Sequence, residues 1–329
     1  MYIINTLICF LAAGLVAGGA YAADEHAEHQ HATHVHTASE PFGVMGAHAH
    51  AAGDWMFSYR AMRMDMEGNR SGSMRQSTAD VLGQGFSIAP LRMTMDMHML
   101  GAMYGMNDSL TVMVMVPYLD LEMDLVTGMG VNFTTGSSGP GDISLNSLYR
   151  LAQSGHHTFN LNAGISVPTG SIDERDATPM GLNQPLPYPM QLGSGTWDLL
   201  PGITYTGHAD DLNWGVQAAA VLRLGENDND YTLGNRFRLT GWLGKSWTAA
   251  IISSVRMDAE WWGNIDGADS NLPAMAPMMV PTADPDLRGG RRYDVLLGTS
   301  IAPVEGALRG HRFGIEFGMP VYQNLDGPQ

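Results

Sequence analysis

The sequence predicts an all-β fold, an antiparallel transmembrane β-barrel of about twelve strands, and three observations carry that expectation. Apolar residues alternate with polar or small ones over stretches too long for ordinary soluble strands. Short and long connections take turns along the chain. No segment after the N-terminal twenty or so residues is long and apolar enough to cross a membrane as a helix.

The alternation is clearest over residues 247–261. Trp247, Ala249, Ile251, Val255, Met257 and Trp261 share one parity; Thr248, Ser254, Arg256, Asp258 and Glu260 share the other. Tryptophan at both ends suits the two interfaces of a bilayer. Phe159, Leu161, Ala163, Ile165 and Val167 alternate in the same way with Asn160, Asn162, Gly164 and Ser166. So do Trp214, Val216, Ala218, Ala220, Leu222 and Leu224 with Gly215, Gln217 and Arg223, and Phe313, Ile315, Phe317 and Met319 with Arg312, Gly314, Glu316 and Gly318. A soluble sandwich would also alternate, but the arginines here keep to the face opposite the apolar row, as a polar barrel interior requires.

The connections order these strands. Short ones fall at residues 106–108, 153–157, 208–212 and 244–245; long ones rich in Gly, Pro, Asp and Asn fall at 68–91, 126–141, 172–195 and 263–290. Tight periplasmic turns and longer external loops produce that pattern. Eleven strands result: 55–67, 92–105, 109–125, 142–151, 158–170, 196–206, 213–225, 231–243, 247–262, 291–302 and 311–322. Bacterial barrels of one chain have an even number, so the expectation is a twelfth strand beyond Gln329, with the last strand missing from this sequence.

Residues 2–16 are almost wholly apolar, and Ala20-Tyr21-Ala22 supplies small residues before a cut. The expected organisation is a signal peptide over 1–22, a His-rich flexible periplasmic leader over 23–53 and an outer-membrane barrel over 54–329. Cys9, the only cysteine, leaves with the signal, so thiolate sites and disulfides are excluded from the mature chain. The net charge of −16 argues against a nucleic-acid partner. The expected partners are outer-membrane lipid and, during insertion, the barrel-assembly machinery; oligomeric state is left open. The expected location is the outer membrane of a Gram-negative bacterium.

Several motifs resemble the family of outer-membrane transporters named for the meta-pathway of phenol degradation, and within it a Met-rich subgroup associated with copper. They are Gly43-Val44-Met45-Gly46 with His48 and His50, the stretch 55–72, Gly139-Pro140-Gly141-Asp142, Val167-Pro168-Thr169-Gly170 and Gly193-Ser194-Gly195-Thr196-Trp197-Asp198. The resemblance implies a barrel and a transport role, and brings no catalytic residue with it.

Of the 24 methionines, 16 lie between Met45 and Met129. With Trp55, Phe57 and Tyr59 outward, Met62, Met64 and Met66 point inward. The same logic turns Met93, Met95, Met97 and Met99 inward on the next strand, and Met113 and Met115 on the third. Near Pro117 the parity is expected to shift at a bulge, after which Leu119, Leu121, Met123 and Leu125 share a face. Asp65, Asp96 and His98 take the outward parity and have to lie above the membrane band. Clustered thioethers either fill an apolar interior or bind a soft cation such as Cu(I). Seven of twelve histidines, His26, His29, His31, His34, His36, His48 and His50, crowd the leader, a composition that reads as Cu or Zn binding. No cofactor is otherwise required.

Arg60, Arg236, Arg238, Arg256, Arg292 and Arg312 with Asp258, Asp294 and Glu316 are predicted to line the lumen as a charge network. No nucleophile elbow, zincin helix or phosphate loop is present, and the chain is expected not to be an enzyme. The leading expectation is a channel or transporter for copper or other soft metal ions. The alternatives are a channel for small hydrophobic or aromatic compounds, and a structural barrel whose leader sequesters metal.

Overall fold

The structure, a computed structural model, describes the backbone of residues 8–17 and the whole of residues 40–329. The main sheet has fourteen strands, of which Trp197–Leu199 continues Gly202–Ala209 after a break, and Asn132–Pro140 pairs only with its predecessor. Twelve staves remain among the described residues. They are β1 (Ile8–Ala17), β2 (Trp55–Glu67), β3 (Ile88–Asn107), β4 (Leu110–Thr127), β5 (Ile143–Ser154) and β6 (His157–Val167). They continue as β7 (Gly202–Ala209), β8 (Leu212–Leu224), β9 (Arg236–Ser246), β10 (Ile251–Trp262), β11 (Gly290–Ile301) and β12 (His311–Leu325). Each pairs antiparallel with its sequence neighbours, and β12 pairs with β1, so the sheet closes into an up-and-down barrel with no free edge.

All eleven strands expected from sequence are present, with shifted ends. The expected strand 231–243 starts at Arg236, because Tyr231–Thr232 pairs instead with Asp266–Gly267 among the loops. The expected strand 247–262 starts at Ile251, since Trp247 donates its N–H to the Ile251 carbonyl and turns the chain. Pro201, which has no N–H to give a ladder, separates Trp197–Leu199 from β7.

The twelfth place departs from the expectation. It is taken by the backbone of residues 8–17, read from sequence as part of a signal, lying antiparallel between β2 and β12. A barrel wall in lipid leaves no N–H or C=O row unpaired, and this backbone satisfies both facing edges.

The outer wall is apolar. Phe57, Leu100, Leu161, Val216, Leu243, Val255, Leu297 and Phe317 are all exposed on it. Aromatic pairs mark its two rims. Trp55 meets Tyr104 with centroids 4.7 Å apart and Phe159 meets Tyr205 at 4.9 Å near the short turns. Near the long loops Trp261 meets Tyr293 at 5.8 Å, and Tyr293 meets Tyr322 at 5.3 Å. Two aromatic girdles enclosing an apolar band define a membrane-spanning barrel. No helix among the described residues is long and apolar enough to cross a membrane.

β3 and β4, at 20 and 18 residues, are about twice the ~9–11 residues that a tilted strand needs to cross. Their upper halves therefore stand above the band, where Asn132–Pro140 extends the sheet from β4. The bulge expected at Pro117 is absent: pairing runs unbroken from Thr111 opposite Gly105 to Asp124 opposite Arg92. Leu119, Leu121, Met123 and Leu125 point inward on the same parity as Thr111, Met113 and Met115. The surroundings change instead of the backbone. Above the lipid the outside is water, and the interior is packed with loop residues.

The described part of the leader is a second correction. Residues 23–39 lie outside the described residues, but residues 40–53, expected to be a flexible tail in the periplasm, are docked inside the lower lumen. Hydrogen bonding to inward Asn, Gln and Arg side chains holds them there, as described next.

Candidate functional site

The lumen has two unlike walls. On β2, β3 and β4 the inward side chains are mostly methionines, and the register sets them side by side: Met62 beside Met97, Met64 beside Met95, and Met66 beside Met93, which sits beside Met123. Lower down, Met56 lies beside Met103 and Met103 beside Met113. Met99 and Met115 face inward opposite Pro117 and Gly101. Met62, Met64, Met66, Met93, Met95, Met97, Met99, Met113 and Met115, expected to point inward, take that parity and are partly buried.

The other wall, β9 to β12, carries charges. Arg256 donates to Glu316 through Nε at 2.8 Å and Nη2 at 3.0 Å, and both side chains are fully buried. Arg256 also lies 3.6 Å from Asp258, which accepts from Arg238 at 2.7 Å. Higher up, Arg292 donates to Asp294 at 2.9 Å and lies 3.9 Å from Glu260, which accepts from Arg236 at 3.3 Å. Arg312 donates to Ser300 Oγ and to the Glu40 carbonyl, while Arg60 is half-buried on the inner face of β2. Asp198 and Arg223 form a further buried pair. The two walls touch where Arg292 Nη1 approaches the Met64 sulfur at 3.9 Å. Fork-to-carboxylate pairing in a low-dielectric interior holds staves together and fixes the charged atoms in place.

Residues 40–53 plug the lower end. The Gly43 N–H donates to Glu316 at 3.0 Å, and Gly43 must be glycine, because a Cβ would fall 2.2 Å from Arg256 Nη2. Asn160 donates to the Ala47 carbonyl, Asn162 to Gly46 and Gln217 to Met45. The His50 N–H donates to Thr111 at 2.8 Å and the Ala52 N–H to Asp108 at 3.1 Å. Phe42 lies under the Arg312 guanidinium, 4.6 Å from ring centroid to charge, and occupies the space left by Gly314. The plug has a small apolar contact, Val44 and Ala47 against Trp242. Burial works to raise the Glu40 carboxyl, but His48 and Arg312 more than reverse this and hold it at about 2. The spaces left between plug and wall are about 10 Å³ each.

The upper end is apolar. Ile88, Leu121, Met123 and Leu125 of the wall pack against Leu186, Met190 and Leu192 of the loops. Beside them is a cavity of about 80 Å³ lined by Phe133, Leu186, Ala276 and Val280 among others. Outside the same staves the side chains are charged: Arg63 pairs with Asp96 at 2.9 Å and with Asp65 at 3.3 Å, and Arg92 also pairs with Asp65. His98 accepts or donates with Tyr59 at 2.7 Å. Asp65, Asp96 and His98 thus sit on the outer face at or above the upper rim.

Of the leader histidines proposed as metal ligands, His26, His29, His31, His34 and His36 lie outside the described residues. His48 pairs with Glu40 at 3.3 Å, and its ring lies 5.0 Å from that of His50. Among the described residues no three His, Cys, Asp or Glu side chains gather as a metal site would need. Sequence reasoning missed the plug and the apolar mouth. Its available signals were the two glycines of Gly43-Val44-Met45-Gly46 and the row of inward amides, Asn160, Asn162 and Gln217, with no backbone yet assigned to them.

Among solved structures the chain is similar to an outer membrane channel from Pseudomonas putida F1, with 12% identity, 97% of each chain covered and a TM-score of 0.45. It is also similar to a Pseudomonas aeruginosa FadL homologue (10% identity, 98% of this chain and 91% of that chain, TM-score 0.38). A third is the Ralstonia pickettii toluene transporter TbuX (10% identity, 98% and 90%, TM-score 0.33). A comparison with curated proteins finds no match. The sequence itself is more decisive, for a family model matches residues 78–272, from the helix before β3 through β10 into the loop beyond it. On that match, which spans more than half its length, the chain belongs to the family described as "Putative MetA-pathway of phenol degradation".

Proposed function

We propose that this outer-membrane barrel is a channel for small hydrophobic and aromatic compounds. The observation that carries the reading is the apolar mouth. An aqueous pore keeps polar groups along its inner wall, whereas here the inner wall turns to Leu119, Leu121, Met123 and Leu125 and adjoins a cavity of about 80 Å³ under the loops. Apolar solutes leave water for such a cavity spontaneously. The methionines below it extend the same surface with flexible, polarizable side chains that adapt to varied shapes. The family's description, which names phenol degradation, agrees with this solute class.

Passage beyond the mouth requires the plug to yield. Its anchors are mainly hydrogen bonds to side chains, which water can replace one by one, and the apolar contact at Trp242 is small. In proteoliposomes the protein should admit a neutral aromatic such as benzyl alcohol faster than empty vesicles do. Deleting residues 40–53 should raise that rate and open an ionic conductance. Equal rates with and without protein, plug deleted or intact, would refute the reading.

A second reading, transport of a soft cation, has one observation behind it: the side-by-side methionine pairs of β2, β3 and β4, since thioethers select Cu(I). Silver ion, a redox-inert soft cation, would report it. Silver uptake that falls when Met62 and Met97 become leucine favours this reading over the first.

A further inference from the structure

A second, larger cavity lies at the top of the lumen, about 190 Å³ in volume, between the upper ends of β2, β3 and β4 and the loop before β11. One side is thioether: Met66, Met93 and Met123 stand next to one another in register. The Trp262 ring also lines the cavity, and its indole N–H donates to the Arg288 carbonyl at 2.7 Å, which fixes the ring's orientation. The charged side chains in the remaining lining are four arginines, Arg70, Arg92, Arg288 and Arg292, and the carboxylate of Glu67. Arg92 pairs with Asp65 and Arg292 with Asp294, while Arg70 donates to the Ser73 carbonyl.

Arg288 differs. Its guanidinium has no carboxylate within ion-pair distance among the described residues, and its Nη1 is shut off from solvent with no hydrogen-bond partner. An enclosed donor of this kind is unfavourable until something accepts from it. Burial and the neighbouring Arg236 outweigh the opposing pull of Asp284 and lower its pKa to about 10, so it still carries its charge at neutral pH. A charged guanidinium presents paired donors that match a carboxylate. The cavity is larger than the ~150 Å³ that accommodates a benzene. Three thioethers alone would suit a soft cation, but the arginines around them repel one.

We propose that this cavity captures small aromatic carboxylates, with the ring between the three methionines and Trp262 and the carboxylate on Arg288. This deepens the channel reading by naming a substrate class at its outer mouth, and rests on that reading for its purpose; binding is measured apart from permeation.

The test is calorimetric titration of the full-length protein in micelles with benzoate and with benzyl alcohol, its neutral counterpart. Benzoate should bind at least about tenfold more tightly, the scale of one charge-assisted contact. Arg288→Gln should remove that preference while benzyl alcohol binding is unchanged, and Arg288→Lys should keep part of it. Trp262→Leu should weaken both ligands. Benzoate and benzyl alcohol binding alike, or benzoate unaffected by Arg288→Gln in a protein that keeps its heat-modifiable barrel mobility on gels, overturns the proposal. Selective benzoate binding without vesicle permeation of either compound upholds the capture site and refutes the channel. Permeation of both without selective binding does the reverse.

Discussion

The lower half of β4 turns Val112 and Val114 outward and Thr111 and Met113 inward, whereas its upper half turns Asp120 and Glu122 outward and Leu121 and Met123 inward. Parity and register are the same in both halves. What differs is the medium on either side. Within the apolar band, lipid lies outside, and polar side chains, ion pairs and the plug fill the inside. Above it, water lies outside and packed loops lie inside. The same strand therefore obeys the barrel rule below and the soluble-sheet rule above, and the inversion marks the membrane boundary at about the level of Ala61, His98 and Tyr118, which are aligned across β2, β3 and β4.

Four substitutions, one on each face of each region, sharpen or break this comparison when unfolding is followed by urea titration in lipid vesicles. The largest effect is expected inside the lower region. Glu316→Gln takes from buried Arg256 its two-bonded charge partner, leaving only Asp258 at 3.6 Å, and should cost about 3–5 kcal/mol. Outside the lower region, Val255→Arg sets a charge midway between the rims and should cost ~2–4 kcal/mol. Inside the upper region, Leu121→Ala removes a side chain that is 3% exposed and should cost about 2–3 kcal/mol. Outside the upper region, Glu122→Leu should stay within about 0.5 kcal/mol, as at an ordinary hydrated surface. A Glu122→Leu variant that gains several kcal/mol in vesicles would put that face in lipid and move the boundary upward. A harmless Val255→Arg would remove the band altogether.

The plug adds one more contrast, this time of anchoring. Gly43→Val forces a side chain against Arg256 and Glu316, while Ala52→Val at the exposed end meets no such obstacle. Conductance should rise for the first and stay at the starting level for the second. A rise in neither would mean that the hydrogen bonds of Asn160, Asn162 and Gln217 hold the plug without Gly43.

Much of this protein could be read from its residues alone. Side chains on a strand alternate with a period of two whatever the strand packs against, so the eleven strands, the outward apolar rows and the inward methionines followed from local order, while the register that sets Met62 beside Met97 did not. Lumen charges were legible for the same reason: Arg256, Asp258 and Glu316 occupy the parity opposite Val255, Met257 and Phe317. Strand ends were less so, because Tyr231 pairs with Gly267 through a contact that local order does not contain.

Three features belong to the tertiary structure alone. Residues 40–53 carry no periodicity, and their place depends on amides more than a hundred positions away, such as Asn160 and Gln217. The inversion on β4 looks in sequence like a slip of register, since alternation records which side is apolar and not which medium makes it so. Arg288, which lines the upper cavity with no carboxylate in ion-pair distance among the described residues, can be recognised only once the loops around it are placed. Local pattern determines which way a side chain points; what it meets there is settled by distant chain segments and by the lipid.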